Sequence, residues 1–441
     1  MSAQRLQRGF WLGLAVLCPA LPLHAYFAGS WYSVLHSYSL GMLFGIVSYV
    51  WFANTLILAA RIRLFDRLFG HDRVMVFHGR LAAAALVFAF AHALLKGVYY
   101  GLAGAQVALG LVALVLFSAV ALVTLLFMVR NILHRLKPIA VLRAFCVRRI
   151  GFDYSRLKLF HNVTAPAMAL VTVHVLMAAP TAETRARLGL MAGWGGLSLL
   201  LWCGHKFVRV VLRYRRCFLV QSVRRLNDTT VALGAARPDG SLLRHRAGQF
   251  AFFRVLAACC GRAEHPFTIS SPPGAKTLGI TVKALGDYSA ALAAVPVGAK
   301  LLCDGPYGRF TPERDARPYL FVAGGIGITP FLSILRKWDG AGFAEPVTLI
   351  WSARTRADLI DGATFEALAE RHAAFNYVPV LTREQDKRVD RELLAAHVDP
   401  ASVARIAAYV CGPDALRRTV TRCLRELGVA NRAIFYESFA A

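Results

Sequence analysis

The sequence predicts a multidomain chain: a bundle of six transmembrane helices, then an antiparallel β-barrel, then an α/β domain. Three observations predict it. Of the 441 residues 57% are hydrophobic and only 17% charged, too apolar for an ordinary soluble enzyme. The long apolar runs are confined to the first half. In the second half, short β-rich runs give way after Pro318 to strands alternating with helical segments. The domain boundaries expected on this basis are 1–212, 213–315 and 316–441.

Six stretches are long enough to cross about 30 Å of hydrocarbon: Phe10 to Ala28, Leu40 to Ala60, Phe77 to Leu95, Gln106 to Val129, Leu157 to Met177 and Met191 to Val211. The first also reads as a cleavable signal peptide, with Arg5 and Arg8 before it and Pro22-Leu23-His24-Ala25 at its end. Lys and Arg number 51 against 25 Asp and Glu, a formal charge of +26. Such a balance suits nucleic acid, an anionic membrane face or anionic cofactors, and position separates them. The basic residues sit between apolar runs, at Arg61 to Arg73, Arg130 to Lys158 and Lys206 to Arg216, so no nucleic-acid partner is expected. The opposite loops carry little beyond Lys96, Arg185 and Arg187, which places both termini of a multi-pass protein of the inner (plasma) membrane in the cytoplasm.

The loop from Arg130 to Lys158 mixes arginines with Ile139, Val141, Leu142 and Phe145, as an amphipathic segment on the inner membrane surface does. The nine cysteines form no CxxC pair, so neither disulfides nor a zinc site is expected.

The barrel strands begin with Cys217 to Val223, Thr229 to Leu233 and Gln249 to Val255. The α/β alternation runs Tyr319 to Ala323, Pro330 to Trp338, Val347 to Ser352, Ala363 to His372, Tyr377 to Leu381, Ile406 to Cys411 and Pro413 to Leu427.

The third stretch holds His78 and His92, 14 residues apart, and the fifth holds His161 and His174, 13 apart. At 1.5 Å per residue each pair spans about 20 Å. A single histidine in such a helix is more often an interhelical hydrogen-bond partner. Two pairs at matching depths, in helices running the same way, give two bis-histidine sites instead: His78 with His161 near the cytoplasm, His92 with His174 near the outer face. Imidazole is a common axial ligand of haem iron. Thirteen residues of ideal helix leave side chains about 140° apart, so a distortion is predicted at Pro166. Lys96, one turn beyond His92, either charges the outer site or snorkels to water.

His265-Pro266-Phe267-Thr268-Ile269-Ser270-Ser271 is followed by Leu285-Gly286-Asp287-Tyr288-Ser289. A plain strand ending in a Ser-Ser-Pro-Pro turn explains the prolines but not the second motif. The pair resembles the flavin domain of the ferredoxin-reductase superfamily, in the HPFT form of NADPH oxidases and ferric reductases. The resemblance implies FAD, with His265 at its diphosphate, Phe267 on the isoalloxazine, Thr268 bonded to the reactive edge, and Pro266 and Ser270 among the contacts. Gly286 and Ser289 then open a helix whose N–H groups hold the pyrophosphate, and Lys283 adds charge.

Gly324-Gly325-Ile326-Gly327-Ile328-Thr329-Pro330 joins a strand to a helix, the context in which missing side chains let a backbone approach a pyrophosphate. It resembles the same family's GGIGITP loop, and Cys411-Gly412-Pro413 resembles its CGP motif beside the nicotinamide, which adds Cys411 to Phe267 and Thr268 as catalytic candidates. Ser352, Arg354 and Arg356 follow a later strand, and arginine there suits a ribose 2′-phosphate, favouring NADPH over NADH. Tyr436-Glu437-Ser438-Phe439 resembles the aromatic segment that covers the flavin, with Ala440 and Ala441 following here.

The motifs in order resemble the NADPH oxidase and ferric reductase superfamily, in a minimal bacterial form without an EF-hand pattern, from the second helix to Phe439. The resemblance implies an NAD(P)H oxidase or ferric-chelate reductase. Electrons would pass from NADPH via FAD and two haem b groups to an acceptor beyond the lipid bilayer, O2 (giving superoxide) or ferric iron, with no regulatory partner required. Two alternatives are a membrane carrier that reduces a periplasmic protein, and a haem-free, membrane-anchored ferredoxin-type reductase.

Overall fold

The computed structural model describes residues 3–28, 33, 35–128, 136–146, 149, 154–313, 315 and 317–437. The chain divides into two compact units, Met1–Leu212 and Arg213–Ala441.

In the first unit six helical stretches are long and apolar enough to cross a membrane: Gly9–Phe27, Ser37–Ala59, His71–Tyr100, Ala105–Phe127, Arg156–Leu176 and Arg185–Arg215. The polarity of a soluble bundle is inverted. Val87, Phe90, Leu94, Val115 and Leu200 are exposed, while Ser48, Asn54, Thr55, Thr172 and Ser198 are buried. Ser37–Ala59 lies at the centre, with its residues 46–50 and 52–56 buried.

Irregularities follow local chemistry. Pro19 separates helices Ala3–Leu17 and Ala20–Phe27. The fourth stretch ends in a wide π-type turn, Thr124–Met128, beside the histidine sites, a common position for such turns. The fifth divides into Tyr154–His161 and Thr164–Leu176. The predicted distortion is present, one turn earlier than Pro166 itself. Pro166 has no N–H for the carbonyl of Asn162, which instead accepts from Ala165 (3.0 Å), while Asn162 and Val163 donate to Leu159 and Phe160 (both 3.0 Å). Such i to i−3 bonds wind the chain at about 120° per residue, which reduces the mismatch between His161 and His174. Within the Arg130 to Lys158 loop, Lys137–Phe145 is a helix with no buried residue, exposing Val141, Leu142 and Phe145; residues 130–135, 147, 148 and 150–153 lie outside the described residues.

The second unit contains two sheets. Six antiparallel strands, β1 (Phe218–Asn227), β2 (Thr230–Ala236), β3 (Phe250–Leu256), β4 (His265–Thr268), β5 (Leu278–Lys283) and β6 (Lys300–Tyr307), are ordered β4-β3-β6-β1-β2-β5. A bridge between Ile269 and Ile280 joins the two edges, closing a barrel around Phe218, Leu233, Phe253 and Ile280.

Five parallel strands follow: β7 (Tyr319–Gly324), β8 (Val347–Ala353), β9 (Phe375–Leu381), β10 (Ala407–Cys411) and β11 (Ile434–Glu437), ordered β11-β10-β7-β8-β9. β7 and β10 are buried along their whole length, as strands covered on both faces are. Helices Thr329–Asp339, Gly362–Arg371 and Asp414–Glu426 alternate with the strands. Phe321, Phe331 and Trp351 are fully buried, each worth about 1.5–3 kcal/mol. The strand order reverses between β7 and β10, and a crevice at the carboxyl ends of such strands is where open α/β sheets bind ligands.

Candidate functional site

The four histidines meet in two pairs of equal separation. The ring centres of His78 and His161 are 6.2 Å apart, as are those of His92 and His174. Nδ1 of His78 lies 3.0 Å from the carbonyl of Thr55, that of His92 2.7 Å from Gly41, and that of His174 2.8 Å from Gln106. A carbonyl only accepts, so these three rings carry their proton on Nδ1 and leave the Nε2 lone pair for a metal. His161 Nδ1 shares a hydrogen bond of 3.3 Å with the Thr124 hydroxyl in the wide turn. An ion bound by both Nε2 atoms at about 2.0 Å, with each ring centre about 1.2 Å behind its nitrogen, calls for roughly 6.4 Å between centres. Among the described residues no group of three or more His, Cys, Asp or Glu forms a metal site. Each pair is spaced to offer two imidazole nitrogens to one ion.

Two glycines make room for the outer pair. A Cβ on Gly45 would lie 2.7 Å from Nδ1 of His92, and one on Gly110 2.8 Å from Nδ1 and Cε1 of His174. A cavity of about 350 Å³ surrounds this pair, with Phe52, Phe117, Gln106 and Lys96 in its wall. Lys96 Nζ sits 3.6 Å from the ring centre of Tyr38 and 4.8 Å from that of Tyr100, so two aromatic faces hold it at the cavity. Phe52 and Phe117 stack at 4.0 Å, and Phe117 is seven residues from both Gly110 and Thr124, each of which touches a histidine of a different pair. The sequence reading missed Gly45, Gly110 and this stack. A glycine facing a histidine across two helices leaves no periodic signal along the chain.

On the barrel, β4 pairs with β3, setting Thr268 opposite Phe250 and His265 opposite Phe253. The Thr268 hydroxyl is buried with no hydrogen-bond partner among the described residues. A buried hydroxyl left so costs about 1–3 kcal/mol, and a ligand acceptor at that point would remove the cost. His265 stacks on Tyr288 at 3.8 Å, with Phe267 nearly parallel at 6.3 Å from Tyr288. The Tyr288 hydroxyl accepts from the N–H of Val255 at 3.1 Å, and burial pushes its phenol up to about 12. Pro266 is exposed beside them.

The residues of three expected contacts also have partners within the chain. Gly286 and Ser289 do open a helix, but it is only Asp287–Ala291, and the Ser289 hydroxyl accepts from the N–H groups of Leu285 (2.9 Å) and Gly286 (3.0 Å), so those donors are satisfied internally. Lys283 Nζ lies 3.5 Å from an Asp358 carboxylate oxygen, which meets the charge reserved for the pyrophosphate. Ser270 is buried, its hydroxyl accepting from Thr281 at 3.1 Å and its N–H donating to Gly279 at 2.8 Å.

At the switch point the two glycine loops interlock. A Cβ on Gly324 would meet Pro413 and Leu416, one on Gly327 the carbonyl of Cys411, and one on Gly412 would lie 2.9 Å from the backbone of Gly324. Gly325 has φ +53°, which favours glycine, and its carbonyl accepts from the Trp351 indole at 3.0 Å. Thr329 is turned inward, its hydroxyl donating to the Ile326 carbonyl at 3.1 Å, and Pro330 is buried at the helix start; both shape the turn rather than face a ligand. Cys411 is fully buried and burial raises its thiol well above the usual range, so it offers no thiolate at this point. At the end of β8 Ser352 is half-buried, and just beyond it Arg354 is exposed, with no carboxylate partner among the described residues. Arg356, by contrast, is committed: its guanidinium bonds Glu366 at 2.8 Å and its N–H donates to Glu384 at 2.9 Å. Phe439 lies outside the described residues. Tyr436 is exposed under the Arg417 guanidinium.

Comparison with known proteins covers this second unit. An FAD-binding domain family matches residues 216–311 and an oxidoreductase NAD-binding domain family residues 321–422. A ferredoxin–NADP reductase of Sorangium cellulosum is 30% identical over 236 residues, 49% of this chain and 95% of the relative. The electron transfer component of toluate 1,2-dioxygenase from Pseudomonas putida is 27% identical over 225 residues, 50% of this chain and 67% of the relative. A solved ferredoxin NADP+ reductase of Neisseria gonorrhoeae with bound FAD and NADP superposes with a TM-score of 0.44 at 26% identity, covering 50% of this chain and 97% of that one.

Proposed function

The chain belongs to the ferredoxin–NADP reductase-like family of FAD- and NAD(P)H-dependent oxidoreductases, and on that premise we propose that it is a transmembrane flavocytochrome. Electrons pass from cytosolic NADPH through FAD and two b-type haems to an acceptor across the membrane, O2 (giving superoxide) or ferric iron. When bound, FAD takes a hydride and releases electrons singly, and each haem carries one electron.

The observation that carries the proposal is the repeated histidine geometry: two pairs, each with ring centres 6.2 Å apart and Nδ1 hydrogen-bonded within the chain. His78 with His161, and His92 with His174, would hold the two haems through their Nε2 atoms. Gly45 and Gly110 set the outer rings at their depth. A haem held by the outer pair would pass its electron to an acceptor entering the cavity that Lys96 borders. Six apolar spans with exposed apolar faces, and their basic loops, support a membrane location with both termini inside.

In the second unit the Thr268 hydroxyl serves the flavin's reactive edge and the interlocked loops at Gly324, Gly327 and Gly412 let a dinucleotide backbone approach. Arg354 pairs with the 2′-phosphate, which favours NADPH.

The test is purification in detergent with added FAD. A dithionite-reduced spectrum shows b-haem bands, and NADPH drives oxygen consumption that superoxide dismutase diminishes, or drives reduction of ferric chelate. A reduced spectrum without haem bands overturns the proposal and leaves a membrane-anchored flavoprotein reductase.

A further inference from the structure

Between β3 and β4 the chain runs Ala257-Ala258-Cys259-Cys260-Gly261. Side chains of adjacent residues in an extended chain point to opposite sides. Here the N–H of Cys260 donates to the carbonyl of Ala257 at 3.0 Å, and the resulting turn brings both thiols to one side with their sulfurs 3.8 Å apart. Cys259 is exposed and lies 3.7 Å from the carbonyl of Ala294, to which it donates. Cys260 is half-buried, packed on the barrel core together with Phe267 and Tyr288. Burial and the neighbouring Cys259 push its thiol up to about 12.

We propose that Cys259 and Cys260 form a reversible oxidation site, which hydrogen peroxide converts to a vicinal disulfide. Cys259, the more exposed, attacks one peroxide oxygen as thiolate. Its sulfur becomes a sulfenic acid and the second oxygen leaves as hydroxide, which takes a proton to give water. Cys260 then attacks the Cys259 sulfur, forming the S–S bond and expelling a second hydroxide, protonated by the hydrogen released from Cys260. Two thiols and one peroxide thus give one disulfide and two waters, and the two electrons lost by sulfur reduce the O–O bond. The Cys260 sulfur lies next to the sulfenic sulfur, and its thiol proton passes to the departing hydroxide as it attacks. Neighbouring Cα atoms are about 3.8 Å apart, short of the roughly 4.4 Å at which ordinary disulfides begin. The ring is therefore strained, and dithiol reductants reopen it.

Closing the ring draws the sulfurs from 3.8 Å to about 2.05 Å. Cys260 packs on the same core as Tyr288, on which the ring of His265, five residues further on, is stacked. Oxidation therefore shifts the His265, Tyr288 and Phe267 rings; this consequence, unlike the oxidation itself, rests on the flavin reading of that site.

The full-length protein in detergent, loaded with FAD, is treated with hydrogen peroxide, alkylated and digested. The expected result is loss of two hydrogens from the peptide holding Cys259 and Cys260, reversed by dithiothreitol, with NADPH-driven flavin reduction slowed roughly tenfold or more. Cys260→Ser converts the product to a sulfenic acid at Cys259 that dimedone traps, and restores the flavin rate under peroxide. A peptide that keeps both hydrogens, or stable sulfinic acid in their place, overturns the site. A disulfide that leaves the flavin rate unchanged overturns its link to the flavin. If the untreated protein retains no FAD, the flavin reading fails while the mass measurement still decides the oxidation.

Discussion

A Cβ on Gly45 would lie 2.7 Å from Nδ1 of His92, so the glycine is the floor on which that imidazole rests. The ring is also tied to the carbonyl of Gly41 at 2.7 Å and has nowhere to retreat without breaking that bond. Gly45→Ala is expected to halve the haem content measured as pyridine haemochrome, while NADPH-driven flavin reduction persists. Gly193→Ala, where a Cβ meets nothing within 4 Å, is the control and keeps full content. Full haem loading in Gly45→Ala counts against ligation by His92.

Thr268 separates stability from function. Its hydroxyl is buried and unbonded, so Thr268→Val removes an unsatisfied group and stabilises the flavin-free protein by about 1 kcal/mol, read from thermal unfolding. The same change slows hydride transfer about 10- to 100-fold in stopped-flow measurements, and Thr268→Ser restores most of the rate. A valine variant that is less stable and equally fast removes the hydroxyl from the site.

The two arginines after β8 differ in engagement, and so in expected effect. Arg354→Ala raises KM for NADPH about 10-fold or more, with kcat and the NADH kinetics little changed, because one charge-assisted contact is lost from ground state and transition state alike. Arg356→Ala, whose guanidinium bonds Glu366, leaves the NADPH to NADH preference nearly unchanged. Steady-state kinetics with both nucleotides measure this, and the reverse ranking refutes the assignment.

Cys411 gives the second unit an alkaline signature. Burial raises its thiol well above the usual range, whereas in the unfolded chain it ionises near pH 8.5. Above about pH 8.5 the folded state retains a proton that the unfolded state has lost, so stability is level below that pH and falls as pH rises. Cys411→Ala should flatten this limb between roughly pH 8.5 and 10 in thermal unfolding followed by tryptophan fluorescence. Equal slopes in parent and variant place the titration elsewhere.

Much of the architecture was readable because it is periodic or local. Apolar length marked the spans, alternation marked the strands, and the GGIGITP and CGP loops marked the strand ends of β7 and β10. The histidine positions were readable because they repeat. Contacts between distant residues were not. Lys283 meets Asp358 across 75 positions, and nothing local to either says so. Ser289 was read as a ligand donor because a serine that opens a helix serves the helix and a phosphate with the same atom. Pro166 announced a distortion, but its effect falls on the carbonyl four residues earlier, so the irregular turn is at Asn162 and Val163.

That turn has a consequence for how the protein can change. His78 and His92 ride on one unbroken rod, and any tilt of it displaces both. His161 and His174 stand on separate helical segments, joined by a short overwound turn. A substitution that reorients one of them need not be transmitted to the other. Each histidine pair then has one shared wall and one private wall, and mutation can adjust one depth of the bundle while leaving the other as it was.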